Sequence, residues 1–256
     1  MSQTNALCLA EPSAFELRTI STLAAPLLVV APHPDDETLG CGGAIALLQS
    51  QPPNSQPPNS QPPNIHILVI SDGTQSHPNS QRYPAAKLRA LRQNETLRAM
   101  KILGVANAAV SFLNLPDTQV PQIGSSGFAA AVRRAQTYLA SLPLKTILLP
   151  WRYDPHCDHQ ATYQIIKAAA DPAIRLVEYP IWDWDSQQTA ELAGSVAIAP
   201  WRLDIHSVVA LNQQAISAYR SQTTRLIDDD PTGFQLSAQM LKHFQVPWEV
   251  FIEEIA

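Results

Sequence analysis

The stretch Pro26-Leu27-Leu28-Val29-Val30-Ala31, followed by Pro32-His33-Pro34-Asp35-Asp36-Glu37, decides how this chain reads. An unbroken apolar run with no polar alternation is the pattern of a strand covered on both faces. Four further runs have this character: 65–71 (IHILVIS), 109–113 (AVSFL), 145–150 (KTILLP) and 174–179 (IRLVEY). Helical spacing of apolar residues separates or follows them over about 40–50, 84–103, 127–142, 157–170, 208–222 and 234–244. Regular strand–helix alternation predicts an α/β chain folded as a Rossmann-like three-layer sandwich with a mostly parallel sheet. In such sheets ligands bind outside the carboxyl ends of the strands, so the residues directly after each run are the ones that matter.

Composition narrows the partners. Of 256 residues, 45% are hydrophobic and 15% charged, and 17 Lys+Arg against 22 Asp+Glu give a net charge of −5. A mild acidic balance without basic clusters argues against nucleic acid as a partner. No apolar stretch is long enough for a transmembrane helix. The N-terminus does not read as a signal peptide, and Cys8, Cys41 and Cys157 form neither a disulfide framework nor a CxxC pair. Both features suit a reducing cytoplasm. Prolines number 22 and glycines 9, an imbalance with a local source. Residues 51–64 repeat QPPNS, which neither helix nor central strand can hold. This tract reads as a tolerated loop insertion, with recognition by a Pro-binding partner as the alternative. The whole chain, 1–256, is expected to form one domain around that insertion.

Two segments after strands carry the chemistry. The first is His33-Pro34-Asp35-Asp36-Glu37; the second is Asp154-Pro155-His156-Cys157-Asp158-His159, just beyond the fourth run. Together they bring imidazoles and carboxylates to one crevice, a donor set suited to a divalent metal such as zinc. Asp154-Pro155 reads as a helix N-cap with Pro at the first helical position. Gly40, Gly42 and Gly43 are expected where the backbone approaches the site; their spacing is not that of a dinucleotide-binding turn. On the helix over 84–103, Arg92 and Glu95 lie three apart on or beside an apolar stripe, where a charge needs a partner. Trp151, Tyr153, Trp182 and Trp184 follow strand ends and could stack on a sugar ring or simply pack.

The pair PHPDDE and HCDH resembles the motifs [AP]HPDDE and HxDH of the LmbE-like/PIG-L family of zinc-dependent N-acetylglucosaminyl deacetylases. Arg92-Gln93-Asn94-Glu95 through Leu103-Gly104 is similar to the family's RxxE…LG helix. Leu113-Asn114-Leu115-Pro116-Asp117 is similar to its FLxLPD segment, and Tyr219-Arg220-Ser221-Gln222 to its YxSQ stretch. The similarity spans roughly residues 27–251. The insertion at 51–64 departs from the pattern, as does Cys157, where the family often has Pro.

The resemblance implies the LmbE-like deacetylase fold and His33, Asp36 and His159 as metal ligands. It implies Asp35 as general base, His156 in protonated form as partner of the developing oxyanion, and Asp158 as the residue orienting one of the histidines. Arg92 and Asp117 are then the expected substrate contacts. Zinc is the implied metal, and iron(II) also fits a His/His/Asp set. The expected substrate is a small N-acetylated sugar conjugate, cleaved to acetate and a free amine. The alternatives are the same site acting on another amide and a carbohydrate binder without turnover.

Overall fold

The computed structural model of the protein describes residues 12–50, 64–182 and 197–255. The repeat at 51–63 and Trp184 lie outside the described residues. In chain order the elements are β1 (Glu16–Arg18), β2 (Leu27–Ala31), α1 (Asp36–Gln49), β3 (Ile65–Ser71), α2 (Ala85–Ile102), β4 (Val110–Leu115) and α3 (Phe128–Leu139). There follow β5 (Thr146–Pro150), α4 (Cys157–Ala169), β6 (Arg175–Tyr179), β7 (Ile198–Asp204), α5 (Val209–Ile216), α6 (Arg220–Thr223), α7 (Ala238–His243) and β8 (Trp248–Glu254).

The strands form one sheet in the order β1-β7-β8-β6-β5-β2-β3-β4, parallel throughout except for β8, which runs against both of its neighbours. Every residue of β2 is buried. Leu27, Val29 and Ala31 join the apolar cluster that includes Ala44 and Ile45 of α1 and Ala99 of α2. Leu28 and Val30 join the opposite cluster, with Ala131 and Ala135 of α3 and Ile165 of α4. Alternate side chains of one strand thus feed two helical layers, which is why its sequence shows no polar alternation.

The chain leaves β2 for β3 on one side and leaves β5 for β6 on the other. The carboxyl ends of β2 and β5, adjacent in the sheet, therefore form a switch point with a crevice between diverging connections. Both HPDDE and HCDH hang from it.

Some details differ from the reading of the sequence. The strands β7 and β8 come from a region where no strand is predicted. The helix predicted at 208–222 is two helices, because Tyr219 leaves helical backbone geometry at φ −80°, ψ 62°. The helix predicted at 234–244 contracts to α7, whose first turn is capped by the Ser237 hydroxyl accepting from the Met240 amide. Gly40, Gly42 and Gly43 lie inside α1, not in the turn that approaches the site. A Cβ at these positions would collide with Tyr179, Asn212 and Ile205, so the glycines let α1 press against β6, α5 and the end of β7. Glu249 of β8 adds to that seam, accepting from the Gly43 and Ala44 amides, while burial pushes its carboxyl up to about 8. Among the described residues no helix is long and apolar enough to cross a membrane.

Candidate active site

Pro32 accepts from the Ser71 amide at 2.8 Å and ends the ladder between β2 and β3, after which the chain turns sharply into α1. The turn is built around Asp35, whose backbone sits at φ 136°, ψ −31°, a region that non-glycine residues rarely occupy. Such a conformation costs roughly 1–3 kcal/mol and persists only where its surroundings impose it.

Two clamps do so here. The Asp35 amide donates to Glu37 Oε2 at 3.1 Å, and Glu37 Oε1 in turn accepts from the Tyr219 hydroxyl. Arg92, 3% exposed, donates through Nη2 to the Pro34 carbonyl (2.6 Å) and Asp35 Oδ2 (3.2 Å), and through Nη1 to the Gly73 carbonyl (3.1 Å). Its guanidinium thereby bolts the PHPDD turn to the loop after β3. Gly73 is required at that contact: its φ is +67°, and an added Cβ would lie 2.7 Å from Arg92 Nη1.

Glu95 does not pair with Arg92 by a hydrogen bond. It accepts from the Ser221 amide (2.8 Å) and hydroxyl (2.6 Å), tying α2 to the start of α6. The late YRSQ stretch therefore serves the front of the site through Tyr219 and Ser221, far away in sequence. Tyr219→Phe is expected to lower stability by about 1–3 kcal/mol, because it removes one of the two hydroxyls that donate to the buried Glu37 Oε1 and leaves only Thr38. It should also lower turnover with little change in KM, as the Asp35 turn loses its backing. Urea melts beside steady-state kinetics check both effects.

Asp36, the first residue of α1, is shared between two imidazoles. Its Oδ2 accepts from the His33 amide at 2.9 Å and lies 3.1 Å from His33 Nδ1 and 3.2 Å from His159 Nε2. His33 Nε2 faces Asp158 Oδ2 at 3.1 Å and Asp117 Oδ1 at 3.2 Å. Burial alone would disfavour a charged His33, but these carboxylates outweigh it and raise its pKa. Asp158 is itself held by the Thr118 and Val120 amides at 2.7 and 3.2 Å.

The second half of the site departs from expectation in two respects. The helix after β5 starts at Cys157, with His156 as its N-cap, so Asp154 is not the cap. Asp154 is fully buried instead and accepts from the His156, Ile181 and Trp182 amides, with Oδ1 3.3 Å from His159 Nδ1. Those partners from across the β5–β6 crevice outcompete a local cap. His156 Nδ1 accepts from the Asp158 amide at 3.2 Å, which an imidazolium with protons on both nitrogens could not do. Burial and the neighbouring imidazoles also lower its pKa, which together with the Nδ1 contact favours a neutral ring carrying its proton on Nε2.

The rings of His33, His156 and His159 lie with centroids 4.7–5.3 Å apart, and one potential donor atom from each falls within 4.8 Å of the others. His159 is completely buried, and its two ring nitrogens lie 3.2 and 3.3 Å from the Asp36 and Asp154 carboxylates without the alignment of a hydrogen bond to either. An imidazole so placed, between two carboxylates and unsatisfied, fits a cation at the cluster. The residues present thus match the chemistry of a divalent-metal site.

His33, Asp36 and His156 floor a cavity of about 230 Å³, with His159 buried behind them. Its lining includes Asp35, Arg92, Asp117 and His156 as well as residues with no signal in the sequence: Gln75, Ser76, Thr118, Phe234 and Leu236. Gln222, from the YRSQ stretch, also lines it. Trp182 forms part of the wall, whereas Trp151 packs with Val250 and Ile252. Burial pushes the Asp35 carboxyl up to about 8, against the opposing pull of Arg92. Cys41 is buried in the core and Cys157 is exposed.

Fold and site together define an α/β protein with a histidine–carboxylate centre at the sheet's switch point. The chain belongs to the PIG-L family (GlcNAc-PI de-N-acetylase), whose model matches residues 28–170, more than half of its length. No curated protein matches it. Among solved structures it is similar to the N,N'-diacetylchitobiose deacetylase from Pyrococcus horikoshii, at 18% identity over 84% of this chain and 74% of that one, with a TM-score of 0.56. It is also similar to the A40926 pseudoaglycone deacetylase Dbv21 (19%, 90% and 96%, TM-score 0.60). A third similar structure is GalB, the 4-carboxy-2-hydroxymuconate hydratase from Pseudomonas putida KT2440 (16%, 90% and 95%, TM-score 0.59). Likeness at this identity establishes the shared fold. The hydratase shows that the fold also carries other chemistry.

Proposed function

We propose that the protein is a metal-dependent hydrolase that removes the N-acetyl group from an N-acetylglucosamine-type sugar or sugar conjugate. The observation that carries this reading is Asp36 Oδ2 lying 3.1 and 3.2 Å from His33 and His159, with Asp35 beside it in a strained turn facing the same cavity. Membership of a de-N-acetylase family supports it, as do the two deacetylases of the same fold.

In this reading His33, Asp36 and His159 hold the metal. Zinc in such a site would supply a Lewis acid and a water ionising near neutrality. Asp35 accepts the proton of the attacking water and returns it to the departing amine, a shuttle helped by burial that raises its carboxyl above the usual range. His156 keeps Nδ1 engaged with the Asp158 amide and so presents Nε2–H, a neutral donor for the carbonyl oxygen as negative charge develops. Asp158 and Asp154 orient His33 and His159 from behind. Asp117 offers carboxylate oxygens at the cavity rim for sugar hydroxyls, and Arg92 lines the same rim while holding the Asp35 turn.

The test is release of acetate and free amine in equal amounts from N-acetylglucosamine and its conjugates. Activity should disappear on chelation and return with zinc or iron(II), whichever restores more identifying the working metal. Hydrolysis that survives full removal of bound metal would refute the assignment.

A further inference from the structure

The cavity is chemically lopsided in a way that a deacetylase of a polar sugar does not require. From one side of the switch point, the connections after β3 and β4 contribute Gln75, Ser76, Asp117 and Thr118. On the other side the described wall is mainly apolar, with Gln222 of α6 its one polar side chain. Trp182 follows β6, Leu39 comes from the first turns of α1, and Phe234 and Leu236 come from the segment between α6 and α7. Trp182 and Phe234 meet edge to face, with centroids 5.5 Å apart and planes at 71°, so the wall is packed and preformed. The Phe234 amide donates to the Ser76 carbonyl at 2.6 Å, which anchors that wall to the loop after β3.

An amide carbonyl has two substituents, the nitrogen carrying the sugar and the acyl carbon. Sugar hydroxyls need hydrogen-bond partners, and these sit on the β3–β4 side. With the carbonyl over the His33–Asp36 floor and the sugar on its polar side, the acyl group faces Leu39, Trp182, Phe234 and Leu236. A methyl group covers little of a surface made of two aromatic rings and two leucines. Resting on the hydrolase reading above, we infer that the preferred substrates carry a straight-chain acyl group longer than acetyl on the sugar nitrogen, in the butyryl-to-hexanoyl range. Water adds to the carbonyl, the C–N bond breaks, and the water proton leaves on the amine, so a short-chain carboxylate and the free amino sugar are the products.

The experiment is a series of N-acetyl-, N-propionyl-, N-butyryl- and N-hexanoylglucosamine, with glucosamine release measured for each. Burying one methylene corresponds to about a fourfold gain, so kcat/KM should climb about fifteenfold from acetyl to butyryl. In Trp182→Ala the butyryl-to-acetyl ratio should fall towards one. Phe234→Leu, which keeps an apolar residue and guards against misfolding, should reduce the ratio less. A flat or falling series with acetyl still cleaved overturns the acyl inference and leaves the deacetylase reading intact. So does a chain-length preference found only for alkyl glycosides of N-acetylglucosamine, which would place the apolar group on the aglycone. No amine release from any member overturns both readings.

Discussion

Asp35→Asn should lower kcat for amide hydrolysis by about 10²–10⁴, the range for loss of a positioned general base, while leaving metal content and thermal stability close to wild type. The expectation rests on how well Asn replaces Asp at this position. The carboxamide oxygen can still accept from Arg92 Nη2, and Asn is among the residues that best tolerate positive φ, here 136°. What it cannot do is take a proton from water. Asp35→Ala, by contrast, would remove the Arg92 contact and should lose stability as well as activity. Kinetics, metal analysis and thermal melts on the two variants separate the proton-transfer role from the backbone one. Asn with turnover near wild type would assign the base elsewhere.

His159→Gln should release the metal and abolish activity together. Bound metal, near one per chain in the wild type, should fall to trace levels when measured by elemental analysis after dialysis. The ring is fully enclosed between Asp36 and Asp154, and a side-chain amide of similar reach can still donate to one of those carboxylates. The fold should therefore persist, with circular dichroism unchanged, because Asp154 keeps its backbone partners at His156, Ile181 and Trp182. Full metal occupancy in this variant would remove His159 from the ligand set.

Much of this was legible in residue order. The continuous apolar runs at 27–31, 65–71 and 146–150 announce strands buried on both faces, and the two histidine-bearing motifs follow strand ends that turn out to be neighbours. The β1-β7-β8 side of the sheet was harder to read. In β7, Pro200 and Arg202 interrupt the apolar character that marks a central strand. Asp154 was misread for a related reason: Asp-Pro is a strong local cap signal, but amides from the far side of the crevice compete for that carboxylate.

By itself the sequence determined the α/β class, the strand ends that bear the chemistry and the donors gathered there, because strand and helix patterning and motif spacing are local properties of the chain. Only the tertiary structure decided what those donors do to one another. Glu37 and Tyr219, 182 residues apart, hold Asp35 in its strained turn. Glu95, on a face where a charge needs a partner, finds Ser221, and the cavity's mainly apolar wall is assembled from α1, the end of β6 and the segment after α6. Hydrogen bonds and burial across such separations depend on which strands lie side by side, and that order is set by packing of the whole sheet, not by any segment of it.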